Sequence, residues 1–178
     1  MIVPEQRFDE LFATLPPVTV NGKDYNVLFD FGTETQLYKF LNMKRKEVSV
    51  SGGNIYPIVW LETPLPWNGS DRKITCKPEF ILATLTTSEI SNRERLKVSF
   101  EPVLFPLWEN IQTALRKSGF SKIQGSSENR TEPNKRGRLY YNYGTEDEQK
   151  HQATDIWDAM KIGVDVEITD HCLRTINY

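Results

Sequence analysis

Apolar residues along this chain repeat with the helical period in two places and with the strand period in one. Phe8, Leu11, Phe12 and Leu15 fall at i, i+3, i+4 and i+7 behind Pro4, which predicts an amphipathic helix over residues 4–15. Glu5 lies in its first turn, where negative charge suits the helix dipole, and Pro16-Pro17 ends it. Leu107, Trp108, Ile111, Ala114 and Leu115 repeat the pattern and predict a second helix over 106–118, introduced by Pro102 and Pro106. Pro106 suits its first turn, Arg116 and Lys117 suit the last, and Gly119 suits the C-terminal cap. Farther on, Ile162, Val164, Val166 and Ile168 alternate with Gly163, Asp165, Glu167 and Thr169, which predicts a strand with one buried and one wet face.

Between these elements the signals are shorter. Asn21-Gly22 separates residues 18–20 from 25–31 and predicts a hairpin, because both turn positions need positive φ. Thr33 and Gln36 have capping-box spacing and open a short helix with Leu37, Phe40 and Leu41 inside. Residues 44–55 are polar and Gly-containing, the pattern of a loop or irregular strand. A compact β-prone run at 56–61 is broken by Pro64, Pro66, Asn68 and Gly69. A longer strand is expected over 74–85, then a polar surface connection over 86–95. Residues 139–143 form a short aromatic strand between a polar loop at 121–138 and a charged loop at 144–153. The expected fold class is α+β, a single domain over 1–178 whose antiparallel or mixed sheet is packed on one side by the two main helices.

Hydrophobic residues make up 38% and aromatics 11% of the 178 residues, enough for one core and too apolar for a disordered chain. The formal net charge of −2 gives no general pull toward nucleic acid or acidic membranes. The N-terminal residues lack the pattern of a signal peptide, and no apolar run approaches a membrane span. The glycosylation-type triplet Asn68-Gly69-Ser70 therefore reads as a turn.

Candidate chemistry is sparse. Cys76 and Cys172 form no CxxC and read as reduced thiols, with a disulfide or a metal pair as the alternatives. His151 and His171 lack metal-ligand spacing, and Asp155 and Asp158 border a strand rather than form an acid–base pair. The glycines assemble into no nucleotide-binding loop, and no nucleophile-elbow motif is present. No catalytic residue, cofactor or metal site is expected, and the chain does not read as an enzyme. Trp60 and Trp108 sit inside apolar patterns and read as core. Trp67, between Pro66 and Asn68, is either core or an interface anchor.

Charge is segregated near the C-terminal end. Residues 121–138 carry a net +3 from Lys122, Arg130, Lys135, Arg136 and Arg138 against Glu128 and Glu132. Residues 144–158 carry a net −4 from Glu146, Asp147, Glu148, Asp155 and Asp158 against Lys150. An ordinary salt-bridged surface hairpin accounts for this. So does head-to-tail contact between copies, the basic face of one meeting the acidic face of the next. Contact of the basic segment with DNA phosphates is a third reading, opposed by its two glutamates.

Several stretches, together with the order of elements, carry a likeness to a known family. They are residues 56–62 (YPIVWLE), 81–84 (ILAT), 92–95 (NRER), 104–107 (LFPL), 141–144 (YNYG) and 156–159 (IWDA). In these the chain resembles the tail-terminator and tail-completion proteins of tailed bacteriophages, in particular neck or tail-ring proteins of Bacteroidetes-infecting, crAss-like phages. The resemblance implies a structural virion protein in the neck or tail, made in the host cytoplasm. It would join copies of itself into a ring between adjacent neck, portal or tail proteins. Genome DNA in the channel is a further contact to test, and membrane and cofactor have no part. Trp67, Arg136, Arg138, Asp147 and Glu148 are the expected interface residues, with the loops at 121–138 and 144–153 carrying the contacts. Two other classes stay open. One is a nucleic-acid-associated phage or mobile-element accessory protein, marked by salt-sensitive DNA binding. The other is a small enzyme whose pocket would gather His151, Asp155 or His171.

Overall fold

The computed structural model describes residues 2–51, 55–87, 89–120, 135–143 and 156–169. The fold is α+β. Its elements are α1 (Pro4–Phe12), β1 (Val18–Val20), β2 (Lys23–Tyr25), β3 (Leu28–Gly32), α2 (Glu34–Ser51), β4 (Ile58–Glu62), β5 (Trp67–Ser70), β6 (Lys73–Cys76) and β7 (Glu79–Thr86). There follow α3 (Asn92–Arg95), a π-helical stretch (Leu96–Leu104), α4 (Phe105–Ser118), β8 (Lys135–Tyr143), β9 (Ile156–Val164) and β10 (Val166–Thr169).

The central sheet has the order β3-β4-β7-β9-β8. It is mixed: β3 runs parallel to β4, and every other pair is antiparallel. A smaller sheet, β10-β6-β5, and the hairpin β1-β2 flank it. The hairpin turns at Asn21-Gly22 with φ of 51° and 76°, the left-handed pair that this dipeptide favours.

Packing on one side of the sheet, as expected from the two main helices, is incomplete as a description. Val59, Leu61, Phe80, Leu82, Met160 and Ile162 point into a large core with α1 and α4. Ile58, Trp60, Ile81, Ala83, Trp157 and Ala159 point the other way, into a second core closed by Leu37 and Leu41 of α2. Tyr38 stacks on Trp157 at 5.4 Å between ring centroids. The period-2 geometry of a strand makes this division automatic once both faces are apolar, and residues 58–61 are buried throughout.

Other expectations are corrected by the same two-sided packing. The Thr33–Gln36 capping box forms, with the Thr33 amide donating to Gln36 Oε1 at 2.7 Å and the Gln36 amide to Thr33 Oγ1 at 3.3 Å. The helix it opens is not short, however. It runs to Ser51, through residues read as loop; Met43–Glu47 in that stretch are strong helix formers at largely exposed positions. Residues 25–31 split: β2 stays in the hairpin while β3 joins the central sheet. Residues 74–85 split at Lys77-Pro78, sending β6 and β7 to different sheets. The break after β4 is found, but Trp67, Asn68 and Gly69, read with it as a turn, lie in β5.

The second main helix, α4, is found where expected, but a further helical run leads into it. Asn92 begins a helical run capped by Ser91, whose hydroxyl accepts from the Glu94 amide while Glu94 caps the Ser91 amide. Pro102 is carried inside the π-helical stretch, where the wider ladder accommodates a residue without an amide donor. The run ends at Gly119, whose φ of 81° is the left-handed cap expected there. Ile162, Val164, Val166 and Ile168 are all buried, as the alternation predicts. Their partners are not uniformly wet. The chain breaks at Asp165 between β9 and β10, and Glu167 is buried under an ion pair to Lys73 at 2.9 Å.

On α4, Leu107, Ile111, Ala114 and Leu115 are fully buried and Trp108 nearly so. Ile111→Ala should lower unfolding free energy by about 2–5 kcal/mol, as core truncations do, measured by chemical denaturation. An unchanged midpoint would remove this stripe from the core.

Candidate functional site

The buried faces leave the edges of the central sheet as its accessible backbone. At one edge lies β3, paired only with β4; at the other lies β8, paired only with β9, among the described residues. The register links these edges through three continuous rungs. One runs Phe29, Val59, Leu82, Met160, Leu139; the next Asp30, Trp60, Ile81, Lys161, Arg138; the third Phe31, Leu61, Phe80, Ile162, Gly137.

The β3 edge ends beside an open groove of about 620 Å³ between α1 and the ends of β3 and β4. Its lining mixes apolar Val3, Phe31 and Pro64 with the carboxylates of Glu5 and Asp9. Phe31 is 42% exposed and Val3 39%. The β8 edge places Lys135, Arg136 and Arg138 opposite Val164, Gly163 and Lys161 of β9. Leu139 on the same strand is 41% exposed.

A second groove, about 490 Å³, is lined by Glu62, Pro64, Pro66, Lys77 and Glu79. Lys161 Nζ reaches Glu62 Oε2 at 2.6 Å and Glu79 Oε2 at 3.7 Å beside it. Burial pushes the Glu62 carboxyl up; the Lys161 hydrogen bond opposes this, and the Glu79 and Glu34 charges add to it. The cluster is a salt-linked brace across β4, β7 and β9.

Of the sequence-predicted interface residues, Trp67 is placed clearly. It is not in a turn but on β5, the outer strand of the small sheet, and it is 48% exposed. That is the exposed alternative for Trp67 rather than the core one. Arg136 and Arg138 lie in β8, so the expected loop over 121–138 gives way to strand from residue 135 onward. Asp147 and Glu148, and with them His151, Asp155, His171 and Cys172, lie outside the described residues.

Asp158 belongs to the interior of β9, not to a strand border, and sequence reasoning missed its partner. Arg95, expected in a surface connection, is fully buried and meets Asp158 Oδ1 from Nη1 at 3.2 Å. Its remaining donors go to Thr86 Oγ1 at 3.1 Å, the Ile90 carbonyl at 3.1 Å and the Thr87 carbonyl. The signal available in the sequence was the capping box at Ser91 and Glu94, which makes a helix there and fixes which side of it Arg95 occupies. With neither side chain accessible, the pair is a clamp between the helical run and the sheet.

Among the described residues, no group of three or more His, Cys, Asp or Glu side chains could hold a metal ion. No described helix is long and apolar enough to cross a membrane. No protein-family model matches the chain, and no curated protein is significantly similar to it.

Breaking the clamp on one side leaves an uncompensated buried charge. Arg95→Met or Asp158→Leu alone should cost about 3–5 kcal/mol. The double replacement should cost clearly less than the sum, a coupling that a double-mutant cycle in denaturant measures. Cys76 is buried, and desolvation pushes its thiol up to about 12. Because the folded-state value lies above the unfolded one, its contribution is present at neutral pH and is lost as pH rises from the ordinary thiol value near 8.5. In a Cys172→Ser background, stability should fall by up to about 2 kcal/mol between pH 8.5 and 10, and Cys76→Ala should flatten that slope.

Proposed function

We propose that the chain is a structural virion subunit that joins copies of itself head to tail into a ring at a phage neck or tail. In that assembly it contacts different proteins above and below. The observation that carries this reading is the pair of unlike edges on the central sheet. The basic strand β8 lies at one side, and β3 with its carboxylate-bearing groove at the other. A contact between two different patches of one subunit leaves each copy with one of each still free, so it propagates until a rotation closes it. A two-fold dimer would need one patch complementary to itself, which unlike edges do not supply. The exposed Trp67 on a separate sheet offers an anchor for a different neighbour, as a ring stacked between other rings requires.

The purified chain should run as a closed oligomer in size-exclusion chromatography with light scattering, and as rings in two-dimensional class averages of negatively stained particles. Assembly through charged edges should weaken as salt rises. A monomeric mass at low salt and high protein concentration would sink the reading. Retention of DNA with a steep salt dependence, without assembly, would favour the nucleic-acid class instead.

A further inference from the structure

Resting on the head-to-tail reading, we infer what fills the carboxylate-bearing groove: the outer face of helix α2 of the next copy. Leu37 and Leu41 mark the side of α2 that packs on the sheet, and both are buried. Lys39, Met43 and Lys46 stand at i, i+4 and i+7, so at 3.6 residues per turn they share one stripe on the side away from Leu37 and Leu41. All three are exposed, Met43 at 52%. The stripe sets one apolar side chain between two cations, with about 10 Å of helix axis separating the lysines. Lys44 does not belong to it. Its ammonium is held by Glu47 at 2.8 Å and lies over the Phe40 ring.

The groove presents the reverse pattern. Glu5 and Asp9, one turn apart on α1, accompany the apolar Val3, Phe31 and Pro64, and among the described residues no lysine, arginine or histidine lines it. The nearby cation Arg7 is engaged by Glu10 at 3.0 Å. Met43 of one copy set against Phe31, Val3 and Pro64 of another, with Lys39 and Lys46 toward Glu5 and Asp9, pairs apolar with apolar and cation with carboxylate. This is the recognition of a helix face by a groove. α1 packs on one face of the central sheet and α2 on the other, so the sheet stands between groove and stripe, and one subunit cannot close the contact on itself. Both halves of the contact are carried by this chain, which makes a second copy the occupant. Its two surfaces differ, so each copy that gives a stripe to one neighbour keeps a groove for another.

The test uses full-length chains and light scattering at low salt. A stripe-reversed variant carries Lys39→Glu and Lys46→Glu; a groove-reversed variant carries Glu5→Lys and Asp9→Lys. Each alone should raise the concentration needed for half-assembly by at least about tenfold with an unchanged melting midpoint. One chain carrying all four changes should assemble again, and mixing the two variants should give complexes that neither gives alone. Met43→Ser, which changes no charge, should weaken assembly on its own. If the wild type assembles and the reversals do not weaken it, or weaken it without rescue in the four-change chain, this docking is overturned while the ring stands. The same holds if Arg136→Glu with Arg138→Glu dissociates the assembly and the α2 changes do not. If the stripe-reversed variant assembles as the wild type does but no longer stays on DNA-cellulose, the α2 face serves nucleic acid and the docking is again overturned. A wild type that never assembles overturns the ring reading itself, and the docking with it.

Discussion

A sheet covered by helices on both faces has only its edges left for hydrogen-bonded contact with another chain. In this protein the cover is close to complete: α1 and α4 lie on one face, α2 on the other, and the central residues of β4 are buried on both. Free edges are a liability that proteins blunt with charge, with short strands or by burial. The β8 edge carries three basic residues, and on β3 the Asp30 carboxylate accepts from the Phe31 amide at 2.8 Å. Such devices discourage indiscriminate pairing while leaving a partner of the right charge able to approach. What the molecule can do follows largely from which side chains border these two strands.

The position of the edges depends in turn on how the helices are held. Arg95 enters the interior from the start of the long helical run and is satisfied by two side chains and two carbonyls. Such a pair contributes little net stability compared with an apolar replacement, because both ions lose water. What it supplies is a fixed direction. A guanidinium fork has one orientation that satisfies its donors, so the run from Asn92 to Ser118 leaves the sheet at a set angle. Leu107, Ile111 and Leu115 fill the core beneath α4.

The legible part of the sequence was that governed by local rules. The stripe of α4, the Asn21-Gly22 turn, the capping box at Thr33 and the buried alternation from Ile162 to Ile168 rest on neighbours within a few residues and are found; the stripe of α1 is found through Phe12, where the helix ends short of the expected Leu15. Strand ends were less legible. Lys77-Pro78 and Asp165 divide runs whose apolar pattern continues across them, since the pattern records burial and not which sheet does the burying. Arg95 and Asp158 were the hardest case. Each reads as a surface charge until the other, 63 positions away, is brought against it. Phe31 and Val3 share this limitation: their exposure arises from where α1 meets the end of β3, a tertiary fact with no counterpart in spacing. Trp67 was legible as an alternative but not as a strand residue, because Pro66, Asn68 and Gly69 carry turn propensity that pairing with β6 overrides.

The strand order has a consequence for synthesis. β9 lies between β7 and β8 although it is among the last strands in the chain. A nascent chain that has emerged as far as α4 holds β3, β4 and β7 but exposes the apolar edge of β7, and its Arg95 has no carboxylate waiting at β9. Closing that edge demands a contact of long sequence separation, the slow kind. During that interval the exposed strand is open to other chains, which makes the late arrival of residues 156–164 the vulnerable moment in this protein's production.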